Sequence, residues 1–288
     1  MTDRRFLRSN GRVACTSLQG SVTVDHFVEG VRHRVRTPRT PLLAAPDAPT
    51  RDRELLFGQG FVVLETRDGH SFGYSTKDGY VGYVPHADLR PWDGATTHTV
   101  QVRQSFGKAG PDFKQRDEIL PLFHAARLTV QKIEGKWARC TGPDGASIYV
   151  PHTHLRPVDH PETDPAAVAA RYLGAFYLWG GNSSVGIDCS GLVQAAFLAC
   201  GLECPGDSDL QASEVGTPLP EDAAHRRGDL LFWKGHVAMV VDDTTLIHAN
   251  AHHMSVVYEP ITAAIDRIGA QGDGPVTARR RPSQPMES

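Results

Sequence analysis

The chain has 288 residues, a formal net charge of -3 and 40% hydrophobic content, which fits two or three globular domains and excludes disorder throughout. Lys and Arg are scattered apart from Arg279-Arg280-Arg281, so no nucleic-acid footprint is expected. Met1 to Asn10 carries three arginines without an apolar core, and no later stretch is long enough to span a membrane, so no export signal and no membrane partner are expected and the anticipated location is cytoplasmic.

Cys15, Cys140, Cys189, Cys200 and Cys204 form an odd set without a paired framework, which suits reduced thiols. Cys200 and Cys204 have the spacing of half a zinc site, but no second Cys or His pair accompanies them. No metal and no cofactor are therefore expected.

Residues 1–34 read as an N-terminal segment packed on the other domains, with Ser21-Val22-Thr23-Val24 as a short strand. An internal repeat follows, at an offset of sixty-six residues. Gly79-Tyr80-Val81-Gly82-Tyr83-Val84-Pro85-His86-Ala87-Asp88-Leu89-Arg90-Pro91 lies over Gly145-Ala146-Ser147-Ile148-Tyr149-Val150-Pro151-His152-Thr153-His154-Leu155-Arg156-Pro157, with eight of thirteen residues identical. Short strand patterns end at Asp68-Gly69 and Glu134-Gly135 turns, so residues 35–93 and 97–158 are expected to be two small all-β barrels rather than a solenoid. At aligned positions Tyr80 faces Ala146, so the aromatic is present only in the first copy.

Val158 to Pro165 is polar and proline-rich and reads as a linker. A third domain, 162–288, begins with Asp164 as N-cap, Pro165 at the first helical position and helical apolar spacing from Ala166 to Phe176. Tyr177 to Ser184 has neither helical nor strand period and reads as a loop. From Cys189 the pattern is helical again: Leu192, Val193, Ala196, Phe197 and Cys200 share its face, and Gly201 supplies the stop. Strands are expected at Leu230 to Trp233, His236 to Val241, Thr245 to Asn250, Ser255 to Tyr258 and Pro275 to Arg279. Helices first and an antiparallel meander afterwards make an α+β domain.

The thiol of Cys189 thus belongs in the first turn of a helix, where backbone N–H groups and the positive end of the dipole stabilise a thiolate. By itself it reads either as a nucleophile or as a buried structural cysteine. A nucleophile needs a base, and histidine titrates in the right range. His236 and His248 open and cross neighbouring strands. They share a face only if their hairpin has an odd loop, such as Asp242-Asp243-Thr244, and would then lie diagonally adjacent. Each alone also reads as a hydrogen-bonded, half-buried residue.

Tyr177-x-Trp179-Gly180-Gly181, Asp188-Cys189-Ser190-Gly191, Arg227-Gly228-Asp229-Leu230-Leu231-Phe232, His236-Val237 and Ile247-His248-Ala249 together resemble the NlpC/p60 cell-wall cysteine peptidases. The motifs cover roughly Asp164 to Arg281. The repeated Tyr-Val-Pro-x-x-x-Leu units resemble bacterial Src-homology-3-like domains. The resemblance implies a multidomain protein: two small all-β Src-homology-3-like barrels, then an α+β papain-like, NlpC-type peptidase. It implies Cys189 as nucleophile, His236 as base and then acid, His248 as the orienting residue, and Tyr177 as an oxyanion donor, with the backbone N–H of Cys189 or Ser190 at the helix N-terminus as a further donor and Asp188 beside them.

Barrels ahead of the peptidase are similar to the subgroup that cleaves γ-D-glutamyl-diamino acid bonds in peptidoglycan peptides. That likeness implies Asp207 as the acid pairing with a free N-terminal L-Ala and puts the first barrel beside the active site; since the repeat has its aromatic only in that copy, Tyr80 is expected to contact substrate. Where the subgroup has an acidic residue after Leu-x-x-Gly, this chain has Gln59. The implied substrate is a murein tri- or tetrapeptide met during recycling. The competing readings are a papain-like amidase or acyltransferase on another substrate, and a catalytically idle wall-peptide-binding protein.

Overall fold

The computed structural model describes residues 3–92, 94–116 and 118–283. Met1, Thr2, Asp93, Asp117 and residues 284–288, which fall within the anticipated segments 1–34, 35–93, 97–158 and 162–288, lie outside them. The chain divides into two compact units, Met1–Val158 and Asp159–Ser288, at the head of the anticipated linker.

In the first unit the repeat appears as matched elements. Strand Val81–Pro85, a short 3-10 turn His86–Asp88 and strand Leu89–Pro91 recur sixty-six residues later as Ser147–Pro151, His152–His154 and Leu155–Pro157. The first copy belongs to one seven-stranded sheet, whereas the strands of the second are shared among one two-stranded and two three-stranded sheets. Each copy has its own apolar centre, and the repeat fills the two alike: Val84 and Leu89 join Val35, Leu42, Leu55 and Phe61, while Val150 and Leu155 join Val100, Leu122 and Ala138.

Two boundaries differ from expectation. The seven-stranded sheet already includes Val31–Val35, which pairs with Gly60–Arg67 and Leu89–Pro91. At its start Val31 (62% exposed) and Arg32 face solvent while the Arg34 side chain is buried against the Trp92 ring, so the charged run shows no apolar strand signal before Val35. Ser21 to Val24 forms no strand; the N-terminal strands are Val13–Cys15 and His26–Val28, paired in parallel. Gly20-Ser21 instead makes a turn closed by Ser21 N–H donating to Leu18. Val13 and Cys15 then pack on Leu64, Phe72 and Val81, burying apolar area worth roughly 2 kcal/mol per large side chain.

The second unit is a six-stranded antiparallel sheet between helices. Its strands are β1 (Thr217–Pro218), β2 (Leu230–Trp233), β3 (His236–Val240), β4 (Thr245–Asn250), β5 (Ser255–Pro260) and β6 (Ala278–Arg281), in the order β1-β6-β2-β3-β4-β5. Side chains alternate across a strand, so each apolar run serves both faces. Leu230, Phe232, Val237, Met239, Ile247 and Ala249 face a core shared with helices α1 (Pro165–Ala170) and α2 (Cys189–Ala199). Leu231, Trp233, Ala238, Val240 and Leu246 face Ile261, Ala264 and Ile268 of a further helix, Ile261–Ala270.

Asp164 caps α1, accepting from Ala166 and Ala167 N–H. The helix ends at Ala170, short of the anticipated Phe176, because the chain turns to pair with β5: Gly174 N–H donates to Val256 and Val256 N–H to Ala175. Two helices were not anticipated, α3 (Ser208–Glu214) and α4 (Ile261–Ala270). The second lies between β5 and β6, so the strands are not an unbroken meander.

Candidate active site

Helix α2 is set by its N-cap. Asp188 Oδ1 accepts from Gly191 N–H at 2.6 Å and from the Ser190 hydroxyl at 3.0 Å, and Oδ2 accepts from Gly180 N–H at 2.9 Å. One buried carboxylate therefore ties the glycine turn to the first turn of the helix, and it favours the helix electrostatically as well. Gly191 is required by this closeness: a Cβ there would stand 2.7 Å from the Gly181 carbonyl oxygen. Cys189 is thereby held at the first helical position, 7% exposed, with Sγ 4.0 Å from the carbonyl oxygen of Gly235, the residue before His236.

Tyr177 arrives beside it on the segment that borders β5, where its N–H donates to Met254. Its hydroxyl is pushed well above the ordinary phenol range, first by burial and then by the negative charges of Cys189 and Asp188. It remains a neutral O–H donor at any working pH.

The β3–β4 hairpin pairs Met239 with Ile247 and Val240 with Leu246, which centres the loop on Asp242-Asp243-Thr244. This is the odd-loop register, and it sets His236 diagonal to His248. His236 Nε2 and His248 Nδ1 are 3.0 Å apart. Both imidazoles are held below their ordinary pKa, in each case chiefly by burial. A neutral imidazole is the form that can take a proton from a thiol.

Two further residues complete the line and were not anticipated. His248 Nε2 lies 2.9 Å from Glu259 Oε2, and Arg267 grips the same carboxylate with Nε to Oε1 at 2.9 Å and Nη2 to Oε2 at 2.7 Å. Glu259 sits on β5, opposite Leu246, and Arg267 on α4. The anticipated strand stopped at Tyr258, one residue short. The signal in the sequence was the i, i+3, i+4, i+7 spacing of Ile261, Ala264, Ile265 and Ile268, which marks an amphipathic helix.

His248, His253 and Glu259 offer ligand atoms within 4.8 Å of one another. A cation there would have to displace the Arg267 guanidinium, which already supplies the positive charge.

Other anticipated residues are placed differently. The Asp188 side chain is tied to the Ser190 hydroxyl and to backbone amides, which positions the start of α2, where the Ser190 backbone N–H anticipated as an oxyanion donor lies. Tyr80 is 3% exposed, within the apolar centre of the first copy, whereas the aligned Ala146 is exposed. Gln59 is buried, its Oε1 accepting from Leu56 N–H and its Nε2 donating to Ala125, so it braces its own turn. Trp179, whose plainest reading is core packing, is 66% exposed. Asp207 is half-buried and precedes α3, and α3 is tied to α2 by Gln211 Nε2 donating to the Ser190 carbonyl at 2.9 Å.

Residues 174–265 match the NlpC/P60 family and residues 42–89 match the bacterial dipeptidyl-peptidase SH3 domain. Dipeptidyl-peptidase 6 of Lysinibacillus sphaericus is 40% identical over 219 residues, covering 68% of this chain and 79% of that protein. A gamma-D-glutamyl-L-lysine dipeptidyl-peptidase of Bacillus subtilis is 36% identical over 111 residues, 35% of this chain and 36% of its own length. A crystal structure of an NlpC/P60 family protein from Bacillus cereus shares the fold, with a TM-score of 0.74 at 19% identity over 87% of this chain and 99% of that one. The chain belongs to the NlpC/P60 peptidase family and carries an SH3-like domain ahead of its peptidase domain.

Proposed function

We propose that this protein is a cysteine peptidase that hydrolyses the γ-D-glutamyl-diamino acid bond of murein tri- or tetrapeptides, releasing L-Ala-γ-D-Glu. The observation that carries this reading is the placement of Cys189 at the start of α2 beside Gly235-His236, with His236 and His248 3.0 Å apart. The naming of similar proteins as dipeptidyl-peptidases supports the choice of bond.

In this mechanism His236 takes the Cys189 proton, and the thiolate attacks the γ-carbonyl carbon of D-Glu. The oxyanion that forms is met by the neutral Tyr177 hydroxyl and by the N-terminal end of α2. Collapse breaks the C–N bond. His236 returns its proton to the departing amine of the diamino acid, leaving a thioester on Cys189. Water, deprotonated by His236, then cleaves the thioester and restores the thiol.

Asp207 is the remaining candidate for holding the L-Ala amine, because Gln59 carries no charge and its side chain is engaged. A buried or half-buried carboxylate left facing an uncharged, acetylated terminus loses its ion pair, which makes a free amine a condition of binding.

Mass spectrometry of products from L-Ala-γ-D-Glu-diaminopimelate and its lysine counterpart tests the reading. Release of the L-Ala-γ-D-Glu dipeptide supports it; intact peptides alongside turnover of another acyl donor would establish the amidase or acyltransferase reading instead. Asp207→Ala should narrow the preference for free over N-acetylated peptides by about tenfold or more, as loss of a charged contact does, and unchanged selectivity would remove Asp207 from the amine site.

A further inference from the structure

We propose that Glu259 and Arg267 are positioning residues that fix the tautomer of both imidazoles, leaving His236 Nδ1 bare for the Cys189 proton. This rests on the peptidase reading for its catalytic consequence, though not for the tautomers themselves.

The inference follows the protons along the chain of contacts. Arg267 engages both oxygens of Glu259 through a two-pronged hydrogen-bonded pair, the arrangement that most favours an ionised carboxylate. That contact, ahead of the others, holds Glu259 below the usual carboxylate range. An ionised carboxylate has no hydrogen to give. The 2.9 Å contact between Glu259 Oε2 and His248 Nε2 must therefore be donated by the imidazole.

His248 is 1% exposed, and a buried imidazole is neutral, with a single proton. That proton is on Nε2, so Nδ1 is an acceptor. The 3.0 Å contact with His236 is consequently donated by His236 Nε2. A neutral His236 then has its lone pair on Nδ1, the ring nitrogen left for the thiol. The opposite assignment would set the bare Nε2 of His248 against a carboxylate oxygen.

The arrangement also favours the charge that develops in the reaction. When His236 gains the thiol proton it becomes an imidazolium, and its Nε2–H already points at a bare nitrogen whose ring is anchored on an anion. Arg267 acts on the nucleophile's base from a different helix, through Glu259 and His248 in turn.

The test is ¹⁵N NMR of the histidine-labelled, substrate-free protein, with kinetics beside it. In the wild type, both His236 and His248 are expected to carry hydrogen on Nε2 and none on Nδ1. In Glu259→Gln, one amide atom must meet both Arg267 Nη2 and His248 Nε2, so the single wild-type tautomer is no longer enforced and the anion that favours the imidazolium is gone; kcat should fall about tenfold or more with KM little changed. Glu259→Asp should retain the wild-type tautomers and recover most of the lost kcat. The opposite tautomers in the wild type would overturn the proposal even if no variant folds, and so would a folded Glu259→Gln protein with kcat within threefold of the wild type. If the wild type shows the stated tautomers but cleaves no murein peptide, the peptidase reading fails while the tautomer assignment stands.

Discussion

Asp188 Oδ1 accepts the Gly191 N–H at 2.6 Å across the first turn of α2, so the residue before the thiol fixes where the thiol can be. Its other oxygen holds Gly180. Replacing Asp188 with Ala removes the helix cap and leaves two backbone donors without their partner. We expect a loss of about 2 kcal/mol in urea unfolding. Turnover should fall by about 10²-fold from the displaced sulfur. Asp188→Asn, which keeps an acceptor toward Gly191, should lose less on both measures. Equal stability and activity in Asp188→Ala would show that the cap is not what places Cys189.

Arg281 on β6 forks onto Asp229, with Nε to Oδ1 at 2.8 Å and Nη2 to Oδ2 at 2.8 Å. The Asp229 side chain is 2% exposed. Arg281→Ala leaves that buried charge with the Arg226 N–H but without its guanidinium, and breaking a buried pair from one side costs about 3 kcal/mol. Denaturant midpoints should show this loss, whereas an exposed pair such as Arg67 with Asp68 should cost less than about 1 kcal/mol when cut. Similar midpoints for the two variants would contradict the assignment.

Stability should also depend on pH through the histidine pair. His236 and His248 have native pKa values below the ordinary 6.5 because burial opposes their charge. In the unfolded chain they protonate near 6.5, so below that pH the unfolded state holds more protons and gains on the native one. Stability from this source is present above about pH 6.5 and is lost progressively as the pH falls toward the native values. The groups facing the pair are Glu259, Arg267 and His253, with Cys189 beside Gly235. Thermal melts between pH 7 and pH 5 should show a falling midpoint, and the slope should flatten in a His236→Gln, His248→Gln double variant. An unchanged slope would mean that other groups set the acid sensitivity.

Much of the architecture was legible because the apolar runs are bounded by plain turn residues. Leu230–Trp233 and Thr245–Asn250 lie where the sequence places them, and the odd Asp242-Asp243-Thr244 loop is the register actually formed. The repeat likewise marked elements that recur at the same offset. What escaped depends on contacts distant in sequence. Tyr80 is buried in the first copy while the aligned Ala146 is exposed in the second, which no comparison of the two sequences reveals. Glu259 lies on the strand Ser255–Pro260, just before its closing proline, where Glu-Pro looks like the end of a strand. Its role depends on Arg267, eight residues on and in another element. Helix α1 stops early because β5 offers its following residues better hydrogen bonds than another helical turn would.

The central claim is that the Cys189 sulfur forms and breaks the acyl bond, and the most direct measurement is kcat/KM of Cys189→Ala on L-Ala-γ-D-Glu-diamino acid peptides, beside a circular dichroism spectrum showing the fold intact. The account predicts a fall of at least about 10⁴-fold, the scale seen when a covalent nucleophile is removed. A folded Cys189→Ala protein that keeps activity within tenfold of the wild type would contradict it.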